Sequence, residues 1–367
     1  MRTILFFIGF IFLLNSHVAL ANENDFQERV LHGKVVEVLE EETRQIPGTE
    51  TEQLYQVIRA EILDSERKGE IVIIENDYFE LARGDKFYFN NFIDISGEEV
   101  SAVIGIDRKD ALIALVLIFI IAVVAFGGWQ GVRSLVALGA SFFAIFYILM
   151  PGILNGWNPL FASIAVATGV LFAAIFFTHG FNRESVVAYV GTMISVVLTG
   201  LFAMFAVEIT SLSGFAAEES VYLNFNTQGA LDFTALLLGA IIIGVLGVLD
   251  DIAVTQAAVV TELFNSNNSL TKKEVYFKAI RVGREHVGAL VNTLVLAYTG
   301  ASLPLLLFFY LSPAGFAASV NSELFATEIV RTIVGSIGLI LAVPIVTFLA
   351  VVFLKGYTSK HSHTHVH

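Results

Sequence analysis

The sequence predicts a membrane α-helical bundle of about seven transmembrane helices, preceded by a small all-β, OB-like extracytoplasmic domain. Three observations predict it. Hydrophobic residues make up 56% of the chain and charged residues 15%, with a mean hydropathy of +0.74, well outside the globular range. Apolar runs of membrane-spanning length recur from Ala111 to Leu354. The stretch before them differs in composition, with short β-branched runs separated by polar turns.

The first 21 residues read as a signal peptide: Arg2, an apolar run from Ile4 to Leu14, and Ala19-Leu20-Ala21 before the expected cleavage point. An uncleaved anchor is the alternative, and either leaves the next segment exported. Residues 22–108 form the expected β-rich domain. Its strand candidates are Val30–Val38, Leu54–Ile62, Gly69–Ile74 and Leu81–Phe89, with Pro47-Gly48 in a polar stretch between the first two. Four or five short strands suit a small OB-like barrel. From Asn22 to Lys109 there are 21 acidic and 10 basic residues, most of the chain's net charge of −13, which excludes nucleic acid as an expected partner.

Residues 109–356 form the polytopic part. About 20 apolar residues cross the hydrocarbon core as a helix, which cuts this part into Ala111–Trp129, Leu135–Leu154, Leu160–Thr178, Val186–Val207, Phe233–Leu249, Val287–Leu311 and Ile329–Leu354. Basic residues favour the cytoplasmic side. With the β domain outside, Arg133, Arg183, Lys272, Lys273, Lys278, Arg281, Arg284, Lys355 and Lys360 fall inside, and Glu208, Glu218, Glu219, Asp232, Glu323 and Glu328 fall outside. Arg108 and Lys109 run against the rule. The expected location is the plasma membrane, with a cytoplasmic C-terminus. Gly239, Gly244, Gly247, Gly335 and Gly338 allow close helix approach.

The polar residues within these spans are the candidate site. The run Gly244–Leu263 begins as a membrane helix, meets Asp250-Asp251, then continues apolar. As one helix, Phe233–Phe264 would be about 48 Å long, so it is tilted, projecting, or broken near Gly247–Asp251, at the inner membrane face. Asp251, Thr255 and Glu262 fall on one helical stripe, and such a stripe could hold a hard cation, relay a proton, or simply meet water at the interface. Asn292 and Thr293, with Tyr298 further along, are expected as buried polar groups needing interhelical partners. Arg284-Glu285-His286 stands at the inner mouth of the same span, and Arg331 is placed to pair with Glu328 or to reach outward.

Residues 357–367 make a cytoplasmic tail in which His361, His363, His365 and His367 alternate. Clustered imidazoles bind zinc, nickel or copper, so the tail is either a metal site or an incidental one. No cofactor is expected. Adjacent aspartates diverge by about 100° on a helix and do not form a proton-sharing pair of the protease kind. P-loop, His-Glu-x-x-His and Gly-x-Ser-x-Gly motifs are missing from the sequence, so no enzymatic activity is expected.

The chain resembles the YibE/F-like family of bacterial membrane proteins in three places. These are the β domain ending in Gly84-Asp85-Lys86 followed by Arg108-Lys109-Asp110, the stretch Gly244–Glu262 with Asp250-Asp251-Ile252-Ala253-Val254-Thr255, and Asn292–Leu305. The resemblance implies a multi-pass protein, with transport as the usual suggestion. Two functions are therefore expected as alternatives. One is a secondary transporter or permease for a small solute, such as a cation. The other is a non-transporting scaffold or assembly factor whose β domain docks a cell-envelope partner. The lipid bilayer is the common partner of both, and a homo-oligomer is compatible with either.

Overall fold

In the computed structural model, which describes residues 29–46, 48, 51–63, 67–93, 99–313 and 315–356, the N-terminal alternation becomes five strands. They are β1 (Arg29–Gln45), β2 (Glu52–Ile62), β3 (Ile71–Asn76), β4 (Lys86–Ile93) and β5 (Glu99–Ile106). They close a barrel in the order 1-2-3-5-4, with β1 also pairing β4 and with β3 and β5 parallel. Inward-facing Leu31, Val35, Ile58, Ala60, Ile62, Ile74, Phe87 and Phe89 fill it, joined by Leu81 from a turn. Register shifts at Val35/Glu37 and Val38/Glu40 bend β1, which lets one strand serve two partners.

The small OB-like barrel expected from the sequence is present, with three differences. β1 runs on through Glu40-Glu41-Glu42, because pairing with β2 overrides the poor strand propensity of that acidic run. Leu81–Gly84 lies outside β4, since the Gln56 side chain holds both backbone groups of Leu81 in a turn. The fifth strand, Glu99–Ile106, has no counterpart among the expected four.

The helical part begins with α1 (Lys109–Ala144), a π-helical segment (Ile145–Leu149) and α2 (Met150–Leu154). Then come α3 (Pro159–His179), α4 (Arg183–Ile209), α5 (Glu218–Asn226), α6 (Phe233–Ser266), α7 (Lys272–Ala301), α8 (Leu303–Leu311), α9 (Phe316–Val320) and α10 (Glu323–Phe353). Contacts divide the chain into two units between Ala125 and Phe126, within α1. In the second unit α6 is central and packs against α3, α4, α7 and α10. Small residues set those contacts. A Cβ on Gly338 would lie 2.5 Å from Thr199 Oγ1, and one on Gly191 would lie 2.7 Å from Val346 Cγ2. Gly239, Gly244 and Gly335 likewise meet neighbouring helices, whereas Gly247 faces open space.

Among the described residues, five helical stretches are long and apolar enough to cross a membrane, or six if α7 and α8, bent by 63° at Ser302, make one span. The expected seven differ chiefly at the start. Instead of an inner loop between residues 129 and 135, the chain stays helical over 46 residues from Lys109 to Leu154. Its one break is a kink at Gly128, whose φ of 53° and ψ of −133° suit a residue without Cβ.

Candidate functional site

α6 carries the two aspartates, and it is unbroken. No proline interrupts Phe233–Ser266, and its glycines keep helical geometry between the four helices around them. The expected break near Gly247–Asp251 is therefore absent. Instead a helix of about 51 Å exceeds the roughly 30 Å hydrocarbon core and carries its carboxylates on a continuous frame.

Asp250 is half-buried, and its Oδ1 is buried with no hydrogen-bond partner among the described residues. Asp251 is exposed, Thr255 half-buried and Glu262 exposed, so the expected stripe lies along the rim of the bundle rather than in its core. The stripe does not converge on a metal geometry. Among the described residues no group of three His, Cys, Asp or Glu side chains is placed to hold a metal ion. The tail histidines His361, His363, His365 and His367 lie outside the described residues.

The stripe does border a cavity. Val254 and Ala258, three and seven residues beyond Asp251, form one wall of a space of about 510 Å³. Trp129, Gln130 and Arg133 of α1 line it, with Thr178 and His179 at the end of α3 and Asn182, Glu184, Ser185 and Ala188 at the start of α4. The tight α3–α4 connection brings those last two groups together. Gly180, at φ 80°, ends α3. Asn182 then accepts from Ser185 N–H at 2.8 Å and donates to the His179 carbonyl at 3.0 Å. The half-buried His179 ring lies within electrostatic reach of the Asp251 carboxylate.

The other expected residues lie elsewhere. Asn292 and Thr293 are exposed, not buried. Thr293 Oγ1 donates to the Ala289 carbonyl of its own helix at 3.0 Å, so it needs no partner on another helix. Asn292 joins Arg284 in a separate cavity of about 730 Å³ between α7 and α10. Tyr298 lies towards the other end of α7 against Gly244, and shares a third cavity, about 230 Å³, with Glu328 and Thr332. Arg331 does pair with Glu328, at 2.8 Å. His286 is half-buried, and its Nε2 has no hydrogen-bond partner among the described residues.

Sequence reading missed two features. Arg133 was assigned to an inner loop and His179 to no role, yet both line the α6 cavity. The available signal was the density of polar residues in Thr178–Ser185, a connection too short to separate its helices. Gln256 is buried and donates to the Ala279 carbonyl at 2.9 Å and to Thr347 Oγ1 at 2.7 Å, which ties α6 to α7 and α10. Its glutamine is the one amide side chain within the apolar run after Asp251.

The family model for YibE/F-like proteins matches residues 115–356, about two thirds of the chain, and the chain belongs to that family. No curated protein and no solved structure matches it.

Proposed function

We propose that this YibE/F-like protein is a secondary transporter or permease that takes a small solute into its helical bundle through the cavity beside Asp251. The observation that carries this reading is the buried Asp250 Oδ1, without a hydrogen-bond partner among the described residues, next to Asp251, which stands one turn from a cavity walled by four helices. Ionisable groups at membrane depth are costly, and where they persist they mark substrate or proton paths. The proposed topology has seven crossings, with the kink at Gly128 dividing the 46-residue stretch in two. A straight helix of that length would reach about 69 Å, twice the hydrocarbon thickness. The β domain then faces outward and the C-terminus the cytoplasm of a plasma-membrane protein, which puts Arg133, Arg183 and the cavity on the cytoplasmic side.

The test is solute-driven current in proteoliposomes across a panel of cations, anions and metabolites. Asp250→Asn with Asp251→Asn should abolish any current found while the protein melts as the parent does. Full current in the double variant would sink the site assignment.

One observation favours the scaffold alternative. Ile71 and Ile73 project from β3 at 53% and 63% exposure beside Val100 of β5, an apolar strip on the outer face of the barrel. On that reading, cross-linking of the full chain in cells captures an envelope protein through β3, and proteoliposomes carry no current.

A further inference from the structure

The cavity beside α6 is lined by Arg133, and Asp251 stands just outside its lining, on the adjoining turn of α6; these two charges do not neutralise one another. Arg133 makes no ion pair or hydrogen bond among the described residues, and neither does the Asp251 carboxylate. Glu184 is the acid that lines the cavity itself, and it takes part in an interaction of its own. Arg133 lies in the wall from α1, and Asp251 stands one turn from Val254 and, seven residues from Ala258, at nearly the same azimuth of α6. No guanidinium nitrogen approaches the carboxylate within 4 Å, although each would gain from the contact. The space between them is of the size that small-molecule sites occupy.

From this we infer that the cavity binds a small zwitterion, an amino-acid-like molecule whose carboxylate meets Arg133 and whose ammonium group meets Asp251. This rests on the transport reading and narrows its solute class. A bare cation would meet the Arg133 charge, and a bare anion would meet the Asp251 charge. A molecule carrying both charges satisfies both ends. Gln130, Thr178, Asn182 and Ser185 supply neutral donors and acceptors between them, and His179 stands at the ammonium end beside Asp251. A planar guanidinium matches a carboxylate with two parallel hydrogen bonds, which a lysine could not reproduce.

The experiment is a thermal-shift and calorimetric titration of the full chain in lipid nanodiscs with glycine, 4-aminobutyrate and 5-aminovalerate. Butyrate and butylammonium serve as the single-charge counterparts. At least one ω-amino acid should bind and raise the melting temperature, and neither single-charge compound should do so at the same concentration. Arg133→Gln and Asp251→Asn should each weaken that binding about tenfold or more, with Arg133→Lys intermediate. Arg281→Gln, an exposed cation of α7 that does not line this cavity, should bind as the parent does. The melting temperature without ligand shows that each variant is folded. Equal binding of butyrate or of butylammonium overturns the inference, and so does failure of all three ω-amino acids. Current driven by a solute of single charge, and lost on Asp251→Asn, would overturn the zwitterion and leave transport standing. Zwitterion binding without any current would do the reverse.

Discussion

The β barrel and the end of the helical bundle that carries the α6 cavity treat their polar groups differently. In the barrel, Gln56 is fully buried and every polar atom of its amide is used. Nε2 donates to Glu41 Oε2 at 2.9 Å and to the Leu81 carbonyl at 3.1 Å, and Oε1 accepts from Asn76 Nδ2 and Leu81 N–H, each at 2.9 Å. His32 Nε2 lies 2.9 Å from Asp107 Oδ2, and Arg67 bridges Glu70 and Glu99. At the cavity beside α6, Arg133 lines the space and Asp251 stands one turn from its wall without the two meeting, and Asp250 Oδ1 is buried with no partner among the described residues. A small barrel has little apolar area to hold it together, so an unmatched buried polar group is costly to it, and Asn90 Oδ1 is an exception among the described residues. The bundle is held by packing and tolerates a few unmatched charges at a site, as binding sites characteristically do. Lapses of pairing also occur at Asn90 in the barrel and at His286 and Thr327 in the bundle, so it is the lapse in two opposite charges near one cavity that sets the candidate site apart.

The contrast breaks or sharpens on substitution. The largest effect is expected for Gln56→Ala, which strands Asn76 and both backbone groups of Leu81 and should destabilise the barrel by about 3 kcal/mol, read by denaturant melting of the full chain. A loss below about 1 kcal/mol would mean that the network contributes little. Gln256→Leu removes the bonds to Ala279 and Thr347, and in a membrane bundle should cost about 1 kcal/mol, measured by unfolding in mixed micelles.

A smaller effect, with a pH signature, is expected at Arg67. Its hydrogen bond holds the Glu99 carboxyl below the usual carboxylate range, helped by a second from Asn91. An acid whose folded value is depressed adds stability above its unfolded value, near 4.3, and loses it as pH falls through the folded one. Arg67→Gln should therefore lower the urea midpoint at pH 7 by the equivalent of about 0.5 kcal/mol, since the pair is largely exposed. Parent and variant should converge below about pH 4. A gap that persists in acid would assign the effect to packing of the arginine stem. The smallest effect on stability is expected at the cavity. Arg133→Gln and Asp251→Asn should each change unfolding by no more than about 0.5 kcal/mol, because neither residue has a partner to lose. A loss near 2 kcal/mol would reveal a structural pair and remove the contrast.

Much of the fold was legible residue by residue. Val35, Ile58, Ile62 and Phe87 alternate with polar neighbours, and the barrel core is built from that face. β5 was harder to see. Glu99–Ile106 alternates weakly, and its pairing with β3 rests on a single register pair, Glu75 with Ala102. Of the two alternatives the sequence leaves open for Arg331, the structure shows the pair with Glu328, because three residues on a helix bring side chains together. Asn292 and Thr293 were misread as buried, since an apolar run shows that a helix enters the membrane but not which face looks inward. The supposed break at Gly247 failed for a related reason. Glycine permits a kink, and only the neighbours of a helix decide whether one forms.

The sequence by itself determined that long apolar helices follow a small β domain. Both follow from local rules, the membrane's need for internally satisfied backbone and the two-residue period of a strand. Only the tertiary structure decided that Arg133, His179 and Val254, from three different helices, surround one cavity, while Asn292 and Tyr298 look into two others. The azimuth and register of each helix are set by which side chains interlock across it. At Gly338 against Thr199 and at Gln256 against Thr347, those contacts join residues far apart in the chain.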